Sequence, residues 1–168
     1  MLRYGTAVSP RLAAALLLVA FARPAAASGV LPTRTVFLGG VAYELELAAD
    51  PATRERGLMG RTEVPARGGM IFAFPDDAPR AFWMKNCLTD IDIAFLDRRG
   101  VVVATHRMRA EPLRRPDETE PAYEARLRHY ASRAPARFAV ELRAGSLERL
   151  GLDPGDSVDV SAVPLPFE

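Results

Sequence analysis

Phe82-Trp83-Met84-Lys85-Asn86-Cys87-Leu88-Thr89-Asp90-Ile91-Asp92-Ile93-Ala94-Phe95-Leu96-Asp97 holds the chain's one Trp, one Lys, one Asn and one Cys. The remaining basic residues are Arg apart from two His, and Gln is absent, so a composition that avoids Lys and Asn elsewhere retains both here. The apolar residues on either side read as two strands joined by a turn of Cys87 to Asp90. If Asn86 and Ile91 flank that turn, Lys85 faces Asp92, Met84 faces Ile93, Trp83 faces Ala94 and Phe82 faces Phe95. This register predicts an ion pair beside Trp83 on one face of a hairpin and apolar pairs on the other.

Working outward, Met70 to Phe74 reads as a compact apolar strand closed by Pro75-Asp76-Asp77-Ala78-Pro79. Strands at Arg80 to Asn86, Ile91 to Leu96 and Val101 to Met108 then form an antiparallel meander. Toward the N-terminus, Thr35 to Leu38 and Val41 to Leu47 alternate across Gly39-Gly40, the signature of a β-hairpin. Asp50-Pro51 opens a short helix that runs to about Leu58 and ends at Gly57 to Gly60, and 59–69 reads as loop. Residues 110–135 form a charged, Pro-rich excursion, read as solvated, with a surface helix from Ala122 to Arg133. A strand at Ala136 to Leu142, a helical turn at Gly145 to Leu150 and a last strand at Ser157 to Val163 complete the chain. The fold class is mainly β (β-rich α+β): a small antiparallel sandwich or partly closed barrel with one or two short helices.

The first 27 residues read as a secretory signal peptide. Met1 to Arg11 are basic, Leu12 to Ala22 are apolar, and Ala25-Ala26-Ala27 supplies small residues before a cleavage site. The apolar run is about half of the roughly 20 residues needed to span a bilayer, so no stable membrane span is expected after processing. A short leader, 28–34, then precedes one domain at 35–164, expected to be periplasmic or extracellular. Cleavage removes three Arg and no acid, so the formal charge falls from +1 to −2. Such a balance gives no electrostatic reason to bind nucleic acid. One Cys excludes an internal disulfide.

Several phrases in this order carry a resemblance: Glu55-Arg56-Gly57-Leu58-Met59-Gly60-Arg61, Gly69-Met70-Ile71-Phe72-Ala73-Phe74, Phe82 to Asn86, Asp92 to Asp97, Gly100-Val101-Val102, Glu141-Leu142 with Gly145, and Gly155-Asp156. Together they resemble the uncharacterised bacterial and archaeal family catalogued as domain of unknown function 192 (DUF192). The resemblance covers nearly all of the mature chain and implies a small, often exported, β-rich domain with no established activity. Cys87 stands where the family commonly has Thr, and Asp90 where Pro is usual. A mechanism built on either would not be the family's.

The chemistry available to the central stretch is that of a binding cleft for an unknown small ligand. Trp83 offers a stacking face, Lys85 a point charge for a carboxylate or phosphate, and Asn86 a donor and an acceptor, with Asp92 opposite. Arg56 and Arg61 are companions if the helix end packs nearby. The same pattern serves an ordinary cross-strand pair on a solvated surface, worth at most about 1 kcal/mol. The reading is a non-enzymatic binding or accessory module for a small ligand or a protein. The alternative is a small exported hydrolase or transferase using the same residues. A third reading takes Met59, Met70, Met84, Cys87, His106 and Trp83 as soft donors for monovalent copper. No catalytic residue, metal ligand set or cofactor is assigned, and no phosphate loop, zinc-protease helix or nucleophile elbow occurs.

Overall fold

The structure, a computed structural model, describes residues 30–166; the expected signal peptide at 1–27 lies outside them. Six strands form one open mixed sheet in the order β1-β2-β3-β6-β4-β5. They are β1 (Thr33–Leu38), β2 (Val41–Ala48), β3 (Gly68–Phe82), β4 (Ile91–Leu96), β5 (Val102–Met108) and β6 (Tyr130–Arg143), with helices α1 (Pro51–Arg56), α2 (Glu120–Arg126) and α3 (Ser146–Leu150). The β1–β2 hairpin turns at Gly39-Gly40 as the sequence predicts. Asp50 caps α1 in a reciprocal box with Thr53, again as predicted.

The meander is not formed. β4 and β5 do pair, but β6 lies between β3 and β4 and is antiparallel to both. β3 and β4 therefore run the same way, and 83–90 is a crossover over one sheet face rather than a hairpin turn. β2 and β3 are also parallel, joined through α1 and its following loop. The sheet is consequently mixed, and three short helices accompany it where one or two were expected. Pro75 and Pro79 do not end a strand. They fall within β3, whose pairing with β6 shifts register between Ala73 and Ala78 and again between Pro79 and Ala81. Ser157 to Val163 contributes only an isolated bridge, Ser157 to Val101, instead of a last strand.

Period-two alternation sends each strand to two cores. Leu45, Ile71, Ala94, Leu96, Val140 and Leu142 pack on one face beneath α3. Met70, Phe72, Ile93, Phe95 and Ala139 pack on the other with Met84, Cys87 and Leu58. Edge-to-face contacts of Phe82 with Phe72 (4.9 Å) and with Phe95 (5.5 Å) organise this second core. Each such pair adds about 0.5–1.5 kcal/mol beyond area burial. Phe82 and Phe95 thus meet as predicted, but through core packing and not across a ladder. Gly69 marks one of the closest backbone approaches: at φ +151° a Cβ there would lie 2.2 Å from the Glu141 carbonyl oxygen.

The excursion at 110–135 is anchored by a few buried side chains, while most of its residues are exposed as the solvated reading expects. Tyr123, Leu127 and Tyr130 are all buried. The predicted helix is shorter and earlier than expected, because Thr119 caps its start and Tyr130 already belongs to β6. Glu118, itself buried, holds Arg126 of α2 at 2.7 Å. Among the described residues no helix is long and apolar enough to cross a membrane.

Candidate functional site

The crossover 83–90 has few ladder partners of its own, so its shape depends on side chains reaching it from elsewhere. Asn86 turns the chain at φ +53°, a left-handed conformation that Asn tolerates better than most residues. Its N–H donates to the Tyr123 hydroxyl at 2.9 Å, and its carbonyl accepts from the Gly60 N–H at 2.9 Å. Asn86 therefore ties α2 to the segment following α1. Lys85 lies between Glu120 at 2.6 Å and Glu124 at 2.5 Å, both on α2. Those two carboxylates, Glu120 first, raise the ammonium well above its usual range.

The predicted Lys85–Asp92 pair does not exist. Asp92 shares the sheet face of Ala94 and Leu96 beneath α3, whereas Lys85 lies on the face that the crossover and α2 cover. Asp92 is 2 % exposed, pairs with Arg107 at 3.0 Å and accepts from the Leu147 N–H at 3.0 Å. Its role in this geometry is to fasten α3 to the sheet. Arg61 is held by both carboxylate oxygens of Glu46, at 2.5 and 2.6 Å.

Beneath the crossover lies a cavity of about 310 Å³, walled by the end of α1, by β3, by 83–87 and by β6. Three of the six predicted residues, Arg56, Trp83 and Lys85, line it. Asn86, Arg61 and Asp92 are not among its lining residues. Phe72, Phe74 and Phe82 supply an aromatic wall that the sequence reading had assigned to core alone. The volume sits at the lower end of the roughly 300–1,000 Å³ typical of small-molecule sites.

Glu141 gives the cavity its chemistry. It lies on the central strand β6, flanked across the ladders by Met70 and Ile93, both buried. The residue is 4 % exposed, and its Oε2 has no hydrogen-bond partner. Burial pushes the carboxyl up to about 8, with the charge of Arg61 pulling only part of the way back. Glu141 thus keeps its proton at neutral pH and can donate a hydrogen bond. Cys87, also on the cavity wall, is pushed up to about 12, first by burial and then by Glu141. A thiol so held is a poor nucleophile. Met70 and Met84 are core side chains, and among the described residues no group of three or more His, Cys, Asp or Glu is placed to hold a metal ion.

Sequence reasoning missed Glu141 because the alternation Phe138, Val140, Leu142 points Glu141 to the opposite face, ordinarily solvent. Here both faces are covered. The available signal was the phrase Glu141-Leu142 among those carrying the family resemblance.

These features define an open, mixed-sheet β-rich domain with a ligand-sized cleft under a crossover. The chain belongs to the DUF192 family, described as an uncharacterized ACR, whose model matches residues 34–160. It is similar to a solved protein of unknown function from Novosphingobium aromaticivorans DSM 12444, at 31% identity and a TM-score of 0.63, over 83% of this chain and 94% of that one. It is also similar to a protein of Sinorhizobium meliloti 1021 provisionally described as a transcription regulator, at 33% identity and a TM-score of 0.58, over 76% of this chain and 90% of that one. No curated protein matches the chain.

Proposed function

We propose that the protein is an exported, non-enzymatic binding module that takes a small, mainly apolar ligand into the cavity between α1 and the 83–87 crossover. The observation that carries this reading is the unpartnered carboxyl of Glu141 at the wall of a cavity with a largely apolar lining. A buried polar group without a partner costs about 1–3 kcal/mol, a cost that a ligand completing its hydrogen bond would offset. Export rests on the basic-apolar-small order of residues 1–27. The alternative, a small hydrolase or transferase using Trp83, Lys85, Asn86 and Asp92, is not favoured, because Lys85 and Asp92 lie on opposite faces of the sheet with separate partners.

Thermal-shift screening of the purified protein against small aromatic and branched organic compounds tests the binding role. Ala81→Phe, which fills the cavity from β3, serves as the control. Compounds that stabilise the wild type and not Ala81→Phe support the reading; equal shifts in both contradict it. Cell fractionation with mass determination of the mature N-terminus tests export, with Ser28 expected as the first residue.

A further inference from the structure

We propose that Glu141 selects the ligand: the cavity accepts an apolar molecule that presents an uncharged or anionic oxygen acceptor to the Glu141 carboxyl, and it rejects organic cations. This rests on the binding role proposed above and specifies the chemistry of that site.

An aromatic cavity containing a carboxyl group has two opposed uses. It can neutralise an ammonium among ring faces, or it can donate a hydrogen bond to an oxygen. The surroundings of Glu141 favour the second. Besides Glu141, the lining side chains include one acid, Glu55, against three cations, Arg54, Arg56 and Lys85. Two of the four lining rings already carry a cation. The Arg80 guanidinium lies 4.2 Å and that of Arg54 5.5 Å from the Phe74 centroid, and Lys85 Nζ lies 5.7 Å from that of Trp83. An entering cation would find these two faces occupied and Arg54 and Arg56 at the wall, Lys85 being already paired with Glu120 and Glu124. Arg56 is exposed there, free to attract an anion at the mouth.

The carboxyl itself has no protein partner to satisfy. Met70 and Ile93 flank it in the sheet, Gly57 stands over it, and a Cβ at Gly57 would lie 3.6 Å from its Oε2. Arg61, the nearby cation, is committed to Glu46. The donor is therefore neither quenched by a neighbouring acceptor nor ionised by a salt bridge.

Three probes of one skeleton test this: phenylacetate, phenylacetamide and 2-phenylethylamine, titrated calorimetrically into the full chain as purified. Wild type should bind the acid and the amide at least about ten-fold more tightly than the amine. Glu141→Gln, which keeps a donor, should retain both; Glu141→Leu should lose about ten-fold for each, the worth of one buried hydrogen bond. Thermal melts of both variants confirm that they fold. Tightest binding of the amine, with Gln and Leu equally defective, would overturn the inference and leave the binding role standing. Acid and amide binding unaffected by Glu141→Leu would overturn it as well. If no probe binds wild type, the binding role falls together with the inference.

Discussion

Gly57 stands over Glu141 at ordinary contact distance: a Cβ at residue 57 would lie 3.6 Å from Oε2 of Glu141 and 3.4 Å from Cζ of Phe72. The glycine closes α1 at φ +48° and ψ −134°, a conformation that side chains rarely adopt. Helix termination and cavity shape therefore depend on the same residue. Gly57→Ala should cost about 1–3 kcal/mol of stability from backbone strain. Urea denaturation checks it: the midpoint should fall with an unchanged slope, and an unaltered midpoint would contradict the assignment.

Glu141 makes the protein less stable than an apolar residue would. Its carboxyl lies near 8 when folded against an ordinary value of 4.5, so between these pH values the folded form holds a proton that the unfolded chain has released. Stability therefore falls as pH rises through this window, with a limiting slope of about 1.4 kcal/mol per pH unit, and levels off above it. Arg61 and the Cys87 thiol are the titratable groups that interact with Glu141, and neither changes charge in this window. Glu141→Leu should raise the melting temperature at neutral pH and remove this slope. A stability difference between wild type and variant that is flat from about pH 5 to 8 would refute the assigned proton.

How α2 grips the crossover is tested at Tyr123. Its hydroxyl accepts from the Asn86 N–H at 2.9 Å inside a fully buried environment. Tyr123→Phe leaves that donor unpaired and should cost about 1–3 kcal/mol. Hydrogen exchange should accelerate at Asn86, with α1 unaffected; unchanged exchange would show that α2 does not hold this segment.

On the opposite face, Asp92→Ala should release α3. The change leaves the Leu147 N–H without its acceptor and Arg107 without its buried partner. Hydrogen bonds to a charged group are worth about 1.5–3 kcal/mol, and the loss should appear in chemical denaturation. Ligand binding by the cavity should persist, because Asp92 lies across the sheet from it.

Local chemistry was legible in the sequence where it is sufficient by itself. Gly39-Gly40 makes a hairpin turn and Asp50-Pro51 starts a helix whatever the rest of the chain does. The order of strands was not legible, because apolar alternation in Phe82 to Leu96 is the same for a hairpin as for a crossover over an inserted β6. That insertion separated Lys85 from Asp92 and left each with partners distant in sequence: Glu120 and Glu124 for one, Arg107 and Leu147 for the other. Trp83, Lys85 and Arg56 line a cavity that excludes Asp92, since the segments carrying them lie on the sheet face away from it. Glu141 stayed hidden because a strand covered on both faces looks, residue by residue, like one covered on a single face.

The space enclosed by Phe72, Phe74, Phe82, Trp83 and Glu141 is the proposed binding site. NMR chemical-shift mapping of the full chain during titration with phenylacetate tests it most directly. Saturable shifts should concentrate at Trp83 Nε1–H, the Met59 methyl and the amides of Gly57 and Glu141. Shifts that never saturate, or that scatter over the outer strands β1 and β5 while these signals stay fixed, would contradict it.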